Sequence, residues 1–446
     1  MSTPGPFPIT PPNATPRHRI TSLLTFTLVI FLILFPKGGV KVGPVPLTWG
    51  YLILAASLPP LALVRVVRLP LRMRKRALLA LATLVPFQVT LIYSTLQNGV
   101  SNTGYGISMF VAFFVFPFAF LFVYPAFLDR IDGRRLARQF RFCIFVAAVY
   151  GLILFVVYPI TGKLFEVPYL TVNADDYGLI AATKHIDRGG ILKLISTYNN
   201  GNLYGVATLM LLPLYDKLET RTWKRVLLKM ALVLTLSRTV WFGLILEQAL
   251  SLLWLGVHAA CTFPRVVFGP ALKRGVFIVL TIAAVLFAVV VSFGDIAFLF
   301  DKQLGGRSGS IASSLNHVTF LPAEPVNGFL EIIYTSALSD FGVLGLITIL
   351  LVFLGPIFIM LTDTKSLRSP LRRAAFKGLV LYFFLTWIDG ALLLIPVMAF
   401  YWFVYMLFLE GWPGGLDLAV SRPAGLSDEP SVAAPQSHFI ELPRHP

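Results

Sequence analysis

Three asparagines and two tyrosines stand together where an apolar stretch begins, in TYNNGNLYG at residues 197–205. An amide side chain both donates and accepts hydrogen bonds, and an aromatic ring offers a flat apolar face. Tyr198, Asn199, Asn200 and Asn202 are therefore candidates for binding a hydroxyl-rich ligand such as a sugar. Because asparagine also caps helices and glycine permits a tight backbone, simple helix capping is an equally weighted interpretation.

A second group surrounds Arg238, which lies between two apolar stretches in LSRTVWFG, residues 236–243. A cation at membrane depth is costly and usually faces a cavity or a partner, and the arginine fork fits phosphate oxygens. Arg238 and its neighbour Ser237 are thus candidates for binding phosphate, although Arg238 could instead reach the lipid headgroups. Glu247 follows on the same stretch, either as a deeper neighbour of Arg238 or as a buried, protonated carboxyl.

A third group is rich in glycine. GRSGS at 306–310 contains Arg307, and the backbone amides of such a turn beside an arginine can bind an anion. PVNG at 325–328 follows, and SDFGVLGL at 339–346 enters a further apolar stretch. An ordinary loop turn is the main alternative for GRSGS.

The composition decides what kind of element carries these groups. The chain has 446 residues, of which 57% are hydrophobic and only 13% charged, and its mean hydropathy is +0.79. A soluble protein carries about 25% charged residues. The sequence therefore predicts a membrane protein with many spans. The net charge of +16 is better explained by basic inner loops than by nucleic-acid binding.

Apolar stretches near the length of about 20 residues that crosses a bilayer predict an all-α bundle of about twelve helices. Two candidates are short and end in polar turns, at Ser237-Arg238 and at Asp389-Gly390. Such ends are tolerated only where protein or a water-filled cavity covers them, so each indicates a site. Merging either short span with its neighbour would give eleven. The predicted spans are 20–36, 45–64, 77–96, 105–128, 140–161, 197–215, 226–237, 239–257, 276–293, 333–361, 379–388 and 391–409.

The distribution of basic residues predicts the orientation. With the N-terminus inside, 28 of the 37 lysines and arginines fall on the inner side, which favours twelve spans with both ends in the cytoplasm. Residues 1–19 then form an inner tail, 20–413 a single transmembrane domain, and 414–446 a disordered inner tail. Two long outer loops, 162–195 and 294–332, are expected to be ordered.

TYNNGNLYG, LSRTVWFG, GRSGS and SDFGVLGL, in this order and on one face, resemble the Wzy polysaccharide polymerase and O-antigen ligase family. The resemblance covers roughly residues 195–355. It implies a GT-C-like membrane glycosyltransferase at the periplasmic face of the bacterial inner membrane. Family members use undecaprenyl-diphosphate-linked glycans and need no metal or other cofactor. Their arginines grip the diphosphate, a role that the motifs transfer to Arg238 and Arg307.

One departure from the family separates its two branches. The ligase branch has a His-Asn pair where this chain reads Val326-Asn327, and His317 lies ten residues earlier. The resemblance therefore favours a polymerase that joins oligosaccharide repeats, with a lipid-linked glycan as both donor and acceptor. A chain-length regulator and a flippase of the same pathway are the expected partners.

The predicted site combines the motif residues with one base. Among Glu324, Glu331, His317, Asp175, Asp176 and Asp187, we favour Glu331, because it begins the helix after the loop and lies near the expected arginines. Arg238, Arg307 and Glu331 are then catalytic. The residues predicted to bind substrate are Tyr198, Asn199, Asn200, Asn202, Ser237, Arg188, His317 and Asn327.

Two other functions remain open. A ligase would move the finished glycan to lipid A or another acceptor. A transporter or flippase for lipid-linked sugar would need charged pairs near the middle of the membrane, where Glu247 is the clearest candidate. DRIDGRR at 129–135 resembles a loop of sugar-porter transporters, but its spacing and place in the chain differ, and a solvated basic loop explains it better.

Overall fold

The structure is a computed structural model, and all structural statements below concern the residues that it describes. These are 27–42, 45–68, 75–179, 187–188, 191–262, 318–322, 325–327, 332–363, 367, 369–392 and 395–415.

Helices dominate the described chain. The α-helices are α1 (Trp49–Arg68), α2 (Lys75–Asn98), α3 (Thr103–Phe110), α4 (Gly133–Thr161), α5 (Gly201–Leu218), α6 (Thr222–Val233), α7 (Arg238–Thr262), α8 (Ile333–Thr362), α9 (Pro370–Leu385) and α10 (Ile395–Glu410). Wider π-helical turns form Ile30–Leu34, Val111–Val115 and Phe118–Val123, and 3-10 turns form Tyr124–Arg130, Ala174–Asp176, Ser196–Tyr198 and Pro413–Gly415. Two antiparallel pairs complete the fold: β1 (Gly39–Val42) with β2 (Val45–Thr48), and β3 (Asp187–Arg188) with β4 (Ile191–Leu192).

Five helical stretches among the described residues are long and apolar enough to cross a membrane: α1, α2, Thr103–Arg130, α4 and α8. A shorter apolar helix runs over Pro396–Glu410. The prediction of a helical membrane protein is thus confirmed, whereas the count of twelve spans is not. The predicted span 276–293 lies outside the described residues.

Two predicted spans differ from the helices found. Residues 45–48 were expected inside a span but form β2, since β-branched residues around Gly43-Pro44 favour an extended hairpin that hydropathy alone does not distinguish. The span predicted at 379–388 belongs to α9, which begins at Pro370. Ser369 caps this helix by accepting a hydrogen bond from the Arg372 amide at 3.2 Å. Lys377 therefore lies inside a helix and not in a basic loop.

The helices run between two ends of the bundle. We call the first the asparagine end: α5, α7 and α8 begin there, α9 ends there, and the Ile333 amide donates to the Thr386 carbonyl at 3.3 Å. The second is the arginine end, where Arg76 pairs with Asp363, and Arg372 donates to the Glu410 carbonyl at 2.5 Å. One continuous apolar core extends from Val29 to Trp412, with contributions from every long helix.

Helix α8 is broken at Gly342, inside SDFGVLGL. Gly342 has φ 67° and ψ −167°, a conformation that is not helical and that essentially only glycine adopts. The amides freed by the break are satisfied by the 318–322 segment: Val343 donates to the Thr319 carbonyl at 2.9 Å and Leu344 to the Phe320 carbonyl at 3.1 Å. The motif therefore interrupts a span, where the sequence had predicted that it enters one.

We expect Gly342→Ala to destabilise the protein by roughly 1–3 kcal/mol from backbone strain alone. A β-carbon there would also lie 2.7 Å from the Thr319 oxygen and 2.8 Å from the Phe320 oxygen. Thermal unfolding of the purified protein in detergent measures the loss. Gly162→Ala is the matched control, because Gly162 has φ 66° but nothing within 4 Å of its β-carbon position. Equal losses in the two variants would contradict this account of the break.

Candidate functional site

The asparagine-rich turn is built largely by its own side chains. Asn200 caps α5 by accepting hydrogen bonds from the amides of Asn202 at 2.9 Å and Leu203 at 3.3 Å. Asn199 has φ 54°, and its side-chain Nδ2 donates to the Thr171 carbonyl at 3.0 Å. Tyr198 is 2% exposed and donates to the Ile33 carbonyl at 3.2 Å. These three side chains therefore hold the turn against neighbouring segments.

Asn202 differs from the other asparagines because its side chain points toward the polar turn Asp389-Gly390. Its Nδ2 donates to Oδ2 of Asp389 at 3.1 Å. Its Oδ1 is buried and has no hydrogen-bond partner among the described residues. Asp389 is 5% exposed and lies in the turn after α9, where Tyr382 donates to the adjacent Gly390 carbonyl at 2.7 Å. Asn202 thus has a buried acceptor oxygen beside a buried carboxylate.

The second motif lies directly against the first. A β-carbon on Gly205 would meet the Val240 side chain, so α5 and α7 approach closely near their first turns. On the other side of the turn, the Leu194 amide donates to the Leu234 carbonyl at 3.0 Å. TYNNGNLYG and LSRTVWFG are therefore neighbours in space as well as in chain order.

Arg238 is the first residue of α7 and is half-buried, while Ser237 before it is 2% exposed. Trp241 holds this turn, because its indole donates to the Val233 carbonyl at 2.8 Å and its amide to the Ser237 carbonyl at 3.0 Å. A helix N-terminus carries partial positive charge and unpaired amides, and the guanidinium adds a full charge. The start of α7 is therefore suited to bind an anion.

The first segment of α8 packs against the turn after α9. Tyr334 and Thr386 share a hydrogen bond of 2.8 Å between their hydroxyl oxygens, and the Tyr334 and Trp387 rings lie 4.3 Å apart. Asp340, two residues before the helix break, is 3% exposed. The first turn of α8 thus lies at the same end of the bundle as the first two motifs, whereas SDFG lies deeper, where the Phe341 ring packs 5.7 Å from the Phe87 ring in the middle of α2.

The remaining predicted site residues are placed only in part. Asn327 is exposed, and its neighbour Val326 pairs with the α2–α3 turn: the Val326 amide donates to the Gly99 carbonyl at 3.1 Å, and the Ser101 amide donates back at 3.1 Å. Arg188 lies in β3, but its side chain is not among those described. Arg307, His317 and Glu331 lie outside the described residues, so their predicted roles stay predictions.

The sequence analysis associated the turn Asp389-Gly390 with a site but did not include Asp389 among the predicted site residues. The signal was present, because the polar turn Asp389-Gly390 ends one of the two short predicted spans. The sequence did not show that Asp389 contacts Asn202, because the two residues lie 187 positions apart.

Glu247 has a different partner from the one considered. It forms an ion pair with Lys377, across α7 and α9, and also accepts hydrogen bonds from Gln248 and, at 3.3 Å, from Ser251. Glu247 lies nine residues beyond Arg238, or about 14 Å along the helix. The carboxylate is therefore engaged deep inside the bundle, away from the start of α7.

The described residues contain no evident metal site, and the comparison with known proteins finds no match. Within the described part of the chain, no group of three or more His, Cys, Asp or Glu residues could hold a metal ion. The sequence matches no protein-family model and no curated protein.

Proposed function

We propose that this chain is a glycosyltransferase that polymerises undecaprenyl-diphosphate-linked oligosaccharide repeats. The observation that carries the proposal is the contact between α5 and α7 at Gly205 and Val240, which places the asparagine motif beside Arg238. One motif offers amide groups for sugar hydroxyls, and the other offers a cation and helix amides for phosphate. A sugar joined to a diphosphate requires both kinds of group at one place.

The charge distribution supports an orientation for this reaction. Arg134, Arg135 and Arg138 are exposed in the first turns of α4, at the arginine end, and many of the predicted inner basic residues belong to this end. Because basic residues accumulate on the cytoplasmic side of membrane proteins, we place the arginine end in the cytoplasm. The asparagine end then faces the periplasm, where lipid-linked repeats would be joined.

The proposed reaction breaks the bond between the anomeric carbon of the donor glycan and its diphosphate oxygen. The hydroxyl oxygen of the acceptor forms the new bond to that carbon, its proton passes to a base, and the lipid diphosphate leaves. Negative charge grows on the leaving oxygen, and Arg238 stabilises it together with Arg307. Glu331 stays our proposed base. Oδ1 of Asn202, which is buried and has no hydrogen-bond partner among the described residues, would accept a hydrogen bond from a sugar hydroxyl that enters this position.

The test uses the purified full chain in proteoliposomes that contain a lipid-linked oligosaccharide repeat. We expect a ladder of products, each one repeat longer than the last, when the lipid-linked glycans are separated on a gel. Transfer of a glycan to added lipid A, without a ladder, would replace the polymerase by a ligase. Movement of the unchanged substrate across the bilayer, with no longer product, would contradict glycosyl transfer altogether.

One observation favours the transporter as a second candidate. The Glu247–Lys377 pair lies near the middle of both helices, and buried ion pairs at such depth often mark transport pathways. A transporter would depend on this pair and would release its substrate unchanged. A polymerase would need the pair only for the stability of the bundle. Replacing both charged residues by apolar ones tests this difference.

A further inference from the structure

An apolar groove runs along the bundle between Ile30–Leu34, Phe118–Arg130 and α10. The space inside it, counting the open solvent at its mouth, is about 700 Å³. Along α10 it extends from Ala399 to Leu407, or about 12 Å of helix. Apart from Tyr124, the side chains that line it are entirely apolar. The groove therefore suits a hydrocarbon chain and offers little to a polar ligand.

Two walls of the groove have an unusual backbone. Ile30–Leu34 and Phe118–Val123 are π-helical, with wider turns than an α-helix. Such segments are rare and appear frequently at functional sites. An empty groove inside the membrane would deprive its lining atoms of dispersion contacts, so a lipid chain is its natural filling.

Exposed arginines surround one end of the groove. Ile131 and Leu136 line that end, and Arg130, Arg134 and Arg135 beside them are exposed. The Arg130 guanidinium lies 5.3 Å from the centre of the Phe127 ring.

The carboxylates of this rim only partly offset its charge. Asp129 and Asp132 are both exposed. Asp132 is engaged as the cap of α4, because it accepts hydrogen bonds from the Arg134 and Arg135 amides at 2.9 and 3.2 Å. The rim thus has a net positive charge.

We propose that this groove binds an anionic phospholipid from the leaflet at the arginine end. One acyl chain lies between Ile30–Leu34 and α10, and the phosphate contacts Arg130 and Arg134. The inference combines the apolar walls with the cationic rim, since basic pockets between spans recognise anionic headgroups. It does not rest on the proposed glycosyl transfer, because the headgroup contacts at Arg130 and Arg134 lie at the opposite end of the bundle from Arg238.

A photoactivatable phosphatidylglycerol, with a diazirine on its acyl chain, tests the site in phosphatidylcholine vesicles containing the full chain. We expect labelled peptides from α10 around Phe403. Ala399→Phe fills the groove and should remove most of this label. Ala55→Phe adds the same ring to an exposed position of α1 and should leave the label unchanged. Labelling spread evenly over the outer surfaces of the spans would overturn the proposal.

The headgroup contact has its own test, which does not require a change in the buried groove. Arg130→Ala and Arg134→Ala should each weaken phosphatidylglycerol labelling by about fivefold, the factor expected for one basic residue near the membrane surface. Arg221→Ala, an exposed arginine outside this rim, is the control. Unchanged labelling in both rim variants, or equal labelling by a matched phosphatidylcholine probe, would overturn the choice of an anionic lipid.

Discussion

Lys377→Met is expected to lower the free energy of unfolding by about 3–5 kcal/mol, because it leaves a buried carboxylate without its cation. Glu247 is 3% exposed and lies in α7, with Lys377 facing it from α9. Gln248 and Ser251 would remain as hydrogen-bond donors, but neither supplies a positive charge. Denaturant unfolding of the purified protein in mixed micelles measures the loss.

The double variant Glu247→Leu with Lys377→Met separates a structural pair from a functional one. Replacing both charges by apolar side chains is often neutral or stabilising, so we expect most of the lost stability to return. Lys75→Met controls for removal of a lysine, since Lys75 is exposed at the start of α2. A double variant that loses the sum of both single effects would contradict the coupling.

The same double variant distinguishes the two candidate functions. If the chain is a polymerase, the stable double variant should still produce a ladder of repeats. If it is a transporter that works through the ion pair, the double variant should be folded but inactive. The stability measurement and the activity measurement therefore answer separate questions.

Arg238→Ala is expected to slow chain extension by roughly a hundredfold, which corresponds to about 3 kcal/mol of lost transition-state stabilisation. The reason is that the guanidinium at the start of α7 would no longer meet the charge growing on the diphosphate. Arg238→Lys keeps the charge but loses the two-pronged geometry, so an intermediate rate is expected. Initial rates of ladder formation in proteoliposomes provide the measurement.

Two controls separate a direct effect of Arg238 on the reaction from a loss of folding. Lys163→Ala removes an exposed cation after α4, at the asparagine end, and should extend chains at the rate of the unmodified protein. The unfolding curve of Arg238→Ala should match that of Lys163→Ala, which would exclude misfolding as the cause of a slow rate. A folded Arg238→Ala protein that extends chains normally would remove Arg238 from the proposed site.

Most helix positions could be predicted from hydropathy, because a span is a local property of the sequence. The predicted span 77–96 corresponds to α2, 239–257 to α7 and 333–361 to α8, each within a few residues at the start. The predicted start of a span was wrong where a charged residue lies inside the helix: the span predicted from residue 379 begins at Pro370. Lys377 belongs to α9 because Glu247 compensates its charge, and hydropathy cannot register a partner 130 residues away.

The sequence suggested a chemistry for the candidate site, and that chemistry stays a prediction. TYNNGNLYG and LSRTVWFG were identified as motifs that could bind sugar and phosphate, but their roles within the turn differ from residue to residue. Tyr198, Asn199 and Asn200 make internal hydrogen bonds, whereas Asn202 turns to Asp389. Four neighbouring polar residues look alike in a sequence, and only packing decides which of them hold the turn and which one bonds to a distant segment.

Composition and hydropathy by themselves determined that this chain is a helical membrane protein, because burying that much apolar surface requires lipid. The tertiary structure decided three further matters, each of which depends on contacts between distant segments. The α5–α7 approach brings two motifs together, the 318–322 segment satisfies the amides freed where α8 breaks, and Lys377 neutralises Glu247. A hydrogen bond or an ion pair needs two partners at a defined distance, and that distance is a property of the folded chain.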